Sequence, residues 1–228
     1  MPSEAPPAII EAEACGHCLK LKPLCVCDSA PALAARLKIL ILQHPQEQDK
    51  ELGTARIVTR FFPDAILRIG LSWPSLSKAL GREVDPARWG VLYLGSASPD
   101  DFPQGAEVVA LDRKGSPVAE QARTLARLQG LIVLDGTWSQ AKALWWRNAW
   151  MLKCQRIALY IERPSLYGKL RREPRKGALS TLEAVAALVS RLEKRPDIEA
   201  AMLSTFRRML QRYRDHLKAG AAPATPRP

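Results

Sequence analysis

The stretch Leu131-Ile-Val-Leu-Asp135-Gly-Thr137-Trp138-Ser-Gln140-Ala-Lys142-Ala-Leu-Trp145-Trp146 constrains the fold more than any other part of the chain. Four apolar residues run straight into Asp135 and Gly136, and then the spacing becomes helical. A short continuous apolar run suits a strand buried on both faces, as in a parallel sheet. Thr137 followed three residues later by Gln140 is a capping box that opens a helix. The pattern is therefore strand, tight glycine turn and helix N-terminus, with one carboxylate at the strand's carboxyl end. In open α/β sheets that edge binds ligands, and a helix N-terminus there favours anionic groups.

Elsewhere strand-like and helical segments alternate. Leu37–Leu42 reads as a first strand that ends at Gln43-His44-Pro45, because proline cannot continue a central ladder. Glu47–Phe61 reads as a helix and Ala65–Ile69 as a second strand. Trp89–Leu94 is a third strand, running into the small loop Gly95-Ser96-Ala97-Ser98. Glu107–Leu111 is a fourth, followed by a helix from about Pro117 to Leu128. Arg156–Ile161 follows as strand six. Such alternation argues for a mostly parallel α/β sheet with helices on both faces.

The carboxyl-terminal part is helical and basic. Ser180-Thr181-Leu-Glu183 is a second capping box, opening a helix with Leu182, Val185, Val189 and Leu192 on one stripe. A last helix places Leu203, Phe206, Leu210, Tyr213 and Leu217 on one face and Arg207, Arg214 and Lys218 on another. Arg163–Lys176 is a basic loop broken by prolines and glycines.

The 34 Lys and Arg against 23 Asp and Glu give a net charge of +11, which favours a polyanionic partner, nucleic acid before membrane. No apolar run approaches the roughly 18 residues of a membrane span, and no helix-turn-helix pattern speaks for DNA. Met1-Pro-Ser-Glu4-Ala lacks a secretory pattern, so the expected location is cytoplasmic, with cysteines as thiols or metal ligands. Residues 1–13 form a Pro/Ala/Glu-rich leader and 219–228 an Ala/Pro tail, both expected to be disordered. Between them lie a cysteine module, 14–30, and one larger domain, 31–218.

Cys15, Cys18, Cys25 and Cys27 fall in a Cys-x2-Cys and a Cys-x-Cys pair, which suits a closed tetrahedral zinc site of structural type. Cys154 has no partner by spacing and reads as a small core residue. Asp135 reads as a general base, a ligand-orienting carboxylate or a charge complementing the helix dipole. Of the tryptophans on its helix, Trp138 sits at the ligand edge and is the candidate for base stacking.

Asp135-Gly136-Thr137-Trp138 resembles the Asp-x-Thr-Trp signature of the DTW-domain proteins. His44-Pro45-x-Glu47, Thr54, the cysteine cluster and Ser180-Thr181-x-Glu183 resemble further segments of that family, with Gly53 standing where Asn is expected. The resemblance implies a SPOUT-like domain with a trefoil knot, monomeric or homodimeric. It also implies a transferase that moves the 3-amino-3-carboxypropyl group of S-adenosylmethionine to N3 of a tRNA uridine. Asp135 would be catalytic. Leu94, Gly95, Ser96, Leu134, Asp135, Gly136, Thr137, Trp138, Ser180, Thr181 and Glu183 would line the cofactor site. His44 would contact tRNA, and so, on the concentration of positive charge in the carboxyl-terminal part, would Arg163, Lys169, Arg171, Arg172, Arg175 and Lys176, the alternative for these being a solvated charged loop. The alternatives are a SPOUT-type RNA methyltransferase with the same cofactor and a non-catalytic zinc-bearing RNA-binding adaptor.

Overall fold

The computed structural model describes residues 13–92, 102, 103, 105–171 and 179–220. Six strands form one sheet: β1 (Lys38–Gln43), β2 (Ile66–Ile69), β3 (Trp89–Leu92), β4 (Val108–Leu111), β5 (Gly130–Asp135) and β6 (Gln155–Leu159). Their order is β2-β1-β5-β3-β6-β4, parallel except for β4, which pairs antiparallel with β6. The alternating pattern thus yields the expected mixed α/β, mostly parallel sheet.

The central strands are buried on both faces, which is why their sequences are continuous apolar runs. Ile39 and Ile41 of β1, with Leu131 and Val133 of β5, face a cluster built with helices α1 (Ala55–Phe61), α5 (Thr181–Glu193) and α6 (Pro196–Gly220). Leu40, Leu42, Ile132 and Leu134 face the opposite cluster, closed by α2 (Leu76–Leu80) and α4 (Trp138–Arg147). A further short helix, α3 (Gln121–Ala126), precedes β5. Gly130 opens β5 opposite Trp89, and a Cβ there would lie 2.5 Å from the indole. The glycine is what lets that large ring fill the core.

Several elements differ from the sequence expectation. Instead of one helix over Glu47–Phe61 there is a 3-10 turn at Pro45–Glu47, then turns, then α1. The Gly53 N–H closes a turn onto the Lys50 carbonyl at 2.8 Å, ending any continuous ladder before Thr54. The helix expected over Pro117–Leu128 shortens to α3, because Pro117 instead bridges to Leu111. Helix α2 has weak periodicity and is recognisable only by its Ser75 cap and Gly81 stop. Leu203, Phe206 and Leu210 are buried as expected, but Leu217 is half exposed because α6 runs past the core. Helix α6 continues through Gly220, two residues that composition places in the tail. Of the leader, Glu13 is described, its carbonyl accepting from Lys22 N–H at 2.9 Å, and residues 1–12 and 221–228 lie outside the described residues.

One topological detail positions the site. From β1 the chain leaves for β2 on one side, whereas from β5 it leaves for β6 on the other. Strands β1 and β5 are neighbours in parallel register, so their carboxyl ends form a crevice where chain direction diverges. Such switch points are where open α/β sheets bind ligands.

Candidate active site

Asp135 ends β5 and stands in register with Gln43, which ends β1. The Gln43 side-chain amide donates to Asp135 Oδ2 at 2.8 Å, and the Thr181 hydroxyl donates to Asp135 Oδ1. Three segments far apart in sequence therefore meet on one carboxylate. Asp135 is 8% exposed. Burial pushes its carboxyl above the ordinary carboxylate range, and nearby Glu47 adds to the effect. The bonds from Thr181 and Gln43 and the charge of Arg171 oppose it.

The turn after Asp135 is built for α4. Thr137 and Gln140 make the full capping box, and a Cβ on Gly136 would meet Gln140 Cβ at 2.8 Å. Gln140 also donates to Gln46 Oε1 at 3.1 Å, while His44 N–H reaches the Asp135 carbonyl at 2.9 Å. The β1 and β5 loops are thus laced together. The His44 ring accepts from Gln46 N–H at 3.3 Å and caps the 3-10 turn. Trp138 is half-buried in the first turn of α4, with the Lys142 ammonium 5.3 Å from its ring centre. Leu134 points into the core under α4.

The second capping box is also complete, and its acid does more than cap. Glu183, fully buried, accepts from Ser165 Oγ (2.7 Å), Ser180 N–H (3.0 Å), Leu166 N–H (2.9 Å) and Arg163 (3.2 Å). With four donors, this carboxylate fixes the start of α5 and the chain at 163–166. That leaves Thr181, one residue inside the helix, aimed at Asp135. Thr54 Oγ1 accepts from Leu182 N–H at 3.2 Å, tying the segment after β1 to the same helix end.

Gln43 and Tyr167, both neighbours of the site, carry no role in the sequence reading, and Glu47 enters it only as part of the family segment that begins at His44. Glu47 is 3% exposed and accepts from Arg171 at 3.0 Å. Arg171 lies 5.6 Å from the Tyr167 ring centre, and the Tyr167 hydroxyl donates to the Leu52 carbonyl at 2.6 Å. A polar residue closing an apolar strand is the signal that marks Gln43. Its pairing with Asp135 follows once β1 and β5 are placed side by side.

Of the residues expected at tRNA, Arg171 is therefore in the site, Arg163 is clamped between Glu183 and Glu199, and Lys169 is exposed. Arg172, Arg175 and Lys176 lie outside the described residues, as do Leu94, Gly95 and Ser96.

The four clustered cysteines converge. Cys15 and Cys27 sulfurs are 4.0 Å apart, Cys18 and Cys25 sulfurs 3.7 Å, and all four lie within 4.8 Å of one another. Thiolates at about 2.3 Å from a tetrahedral zinc would be about 3.8 Å apart, so the donor set fits such an ion. Burial pushes the Cys18 thiol up to about 11, an environment that calls for a cation if the group is to ionise. Buried Lys20 donates its ammonium to the Glu51 carbonyl at 2.5 Å, docking this module on the segment between β1 and α1. Cys154 is buried in the core, as its spacing suggests.

Among the described residues, no helix is long and apolar enough to cross a membrane. No solved structure matches the chain significantly. The chain is 29% identical over 199 residues to tRNA-uridine aminocarboxypropyltransferase 2 of Macaca fascicularis, an alignment covering 83% of this chain. It is 27% identical over 202 residues to the Drosophila melanogaster protein of the same name, covering 83% of this chain and 70% of that protein. Against tRNA-uridine aminocarboxypropyltransferase A of Arabidopsis thaliana it is 27% identical over 239 residues, covering 94% and 84%. The chain spans 59% of the length of the macaque relative. The DTW domain model matches residues 12–214, and the chain belongs to that family.

Proposed function

We propose that this protein transfers the 3-amino-3-carboxypropyl group of S-adenosylmethionine to N3 of a uridine in tRNA. The observation that carries the reading is the convergence of Gln43, Asp135 and Thr181 at the carboxyl ends of β1 and β5, combined with the names of its relatives.

The reaction forms a bond between N3 and the methionine Cγ while the Cγ–S bond breaks. Sulfur keeps the electron pair, loses its positive charge and departs as methylthioadenosine. The N3 proton has to go to a base. Asp135 suits this role because burial raises its proton affinity, while Thr181 and Gln43 fix its direction. Gly136–Trp138 would lie along the cofactor, and Trp138 would stack an outward-turned base. In-line geometry at Cγ then falls to the loops that hold the donor.

The domain is proposed to be of the SPOUT-like knotted class, with a structural zinc ion held by Cys15, Cys18, Cys25 and Cys27. Arg207, Arg214 and Lys218, exposed along α6, would attract the tRNA backbone together with the overall positive charge.

The test is the co-product released when the full chain meets unmodified tRNA and S-adenosylmethionine. Methylthioadenosine that appears only with tRNA supports the transfer. S-adenosylhomocysteine would replace it with methyl transfer, and neither product beside intact tRNA binding would favour an adaptor.

A further inference from the structure

Two buried acceptors beside Asp135 have no donor among the described residues: Gln43 Oε1 and Glu47 Oε1. Gln43 is 2% exposed and Glu47 3% exposed. The orientation of the Gln43 amide is set by chemistry, since only its nitrogen can donate to the Asp135 carboxylate. Its oxygen is therefore obliged to face elsewhere. The second Glu47 oxygen already accepts from Arg171. Leaving a buried acceptor unsatisfied is costly, and two such atoms beside one ligand edge point to a donor that arrives with the ligand.

The charges narrow that donor. Asp135 and Glu47 bring two carboxylates to the cluster, and Arg171 brings one guanidinium. A ligand group that carries positive charge and several N–H bonds would balance the charge and satisfy the oxygens. S-adenosylmethionine has two cationic centres. Its sulfonium has no hydrogen to donate, whereas its α-ammonium has three.

We infer that Gln43 and Glu47 form the specificity element of the site, reading the α-ammonium of the group to be transferred through Gln43 Oε1 and Glu47 Oε1. The inference rests on the S-adenosylmethionine reading above. Only Cα and Cβ separate the ammonium nitrogen from Cγ, so anchoring the ammonium beside Asp135 brings the reacting carbon towards the base. Both residues are positioning residues, acting on the end of the donor that a methyltransferase would leave unreacted.

The experiment is calorimetric titration of the full chain with three ligands: S-adenosylmethionine, its analogue with hydrogen in place of the α-ammonium, and methylthioadenosine. Wild-type protein is expected to bind the des-amino analogue about tenfold or more weakly than S-adenosylmethionine, the scale of a charge-assisted hydrogen bond. Glu47→Gln is expected to weaken S-adenosylmethionine about tenfold while leaving methylthioadenosine within about twofold, and to abolish the preference over the des-amino analogue. Equal wild-type affinity for the ammonium and des-amino ligands would overturn the inference without recourse to any variant. So would a Glu47→Gln protein that loses affinity for all three ligands equally. Binding of S-adenosylmethionine by neither protein would overturn the cofactor reading itself, and the inference with it.

Discussion

Thr181 donates its hydroxyl to Asp135 although the two residues are 46 positions apart, one in the first turn of α5 and the other at the end of β5. Register places Gln43 on the same carboxylate from β1. Asp135 is thus held from both sides by neutral donors, which fix its direction and offset only part of the rise in proton affinity that burial causes. Thr181→Val removes one donor and leaves a buried carboxylate oxygen short of a partner. The expected cost is about 1–3 kcal/mol in denaturant unfolding, with m unchanged. An unchanged midpoint would show that the contact does not hold the two loops together.

Asp135 also makes stability depend on pH with a definite sign. Its carboxyl is raised above the ordinary value of 3.8, chiefly by burial. The folded state therefore binds the proton more tightly than the unfolded chain does. The contribution is fully present below 3.8 and is lost as pH rises through the higher folded value. Relative to wild type, Asp135→Asn should gain stability as pH rises through that window and then level off. Unfolding curves of both proteins from pH 4 upwards check this. A wild-type advantage that grows with pH would contradict it.

Glu183 is the carboxylate on which the start of α5 depends. Glu183→Ala takes from Arg163 one of its two carboxylate partners and leaves Ser165 Oγ and the Leu166 and Ser180 N–H groups without their acceptor. A loss of about 2–4 kcal/mol is expected, because several donors in and around a buried helix start lose their acceptor at once. Glu183→Gln, which keeps an acceptor oxygen, should cost less. Urea denaturation of the two variants separates them, and equal costs would mean that charge alone matters.

The cysteine module should contain one zinc ion per chain, measurable by elemental analysis of protein purified without added metal. Chelation, or Cys18→Ser, should lower the melting temperature. The reason is that Cys18 and Val26 belong to the main core and Lys20 ties the module to the segment between β1 and α1. Metal-free protein with an unchanged melting temperature would refute a structural ion.

The sequence made some of this legible for plain physical reasons. Both capping boxes are local patterns, and both form as their residues require. The apolar runs of β1 and β5 mark strands covered on both faces, and the cysteine spacing marks a cluster that does close. What stayed hidden depends on distant pairing. Gln43 looks like the polar end of a strand until the register sets it beside Asp135. Glu47 reads as part of the family segment after β1 and Arg171 as a tRNA contact in a basic loop, yet the two, 124 residues apart, form one ion pair. Arg163 reads as free positive charge because nothing in its neighbourhood announces Glu183 and Glu199. The antiparallel turn of β4 is likewise invisible in a four-residue apolar run.

The most direct test of the proposed transfer is the mass of the nucleosides recovered from unmodified tRNA after incubation with S-adenosylmethionine and the full chain, beside Asp135→Asn. With wild type, a uridine carrying the added 3-amino-3-carboxypropyl mass is expected, and with Asp135→Asn its yield should fall by about a hundredfold or more. A uridine carrying a methyl mass, or an undiminished yield from Asp135→Asn, would contradict the role assigned to this site.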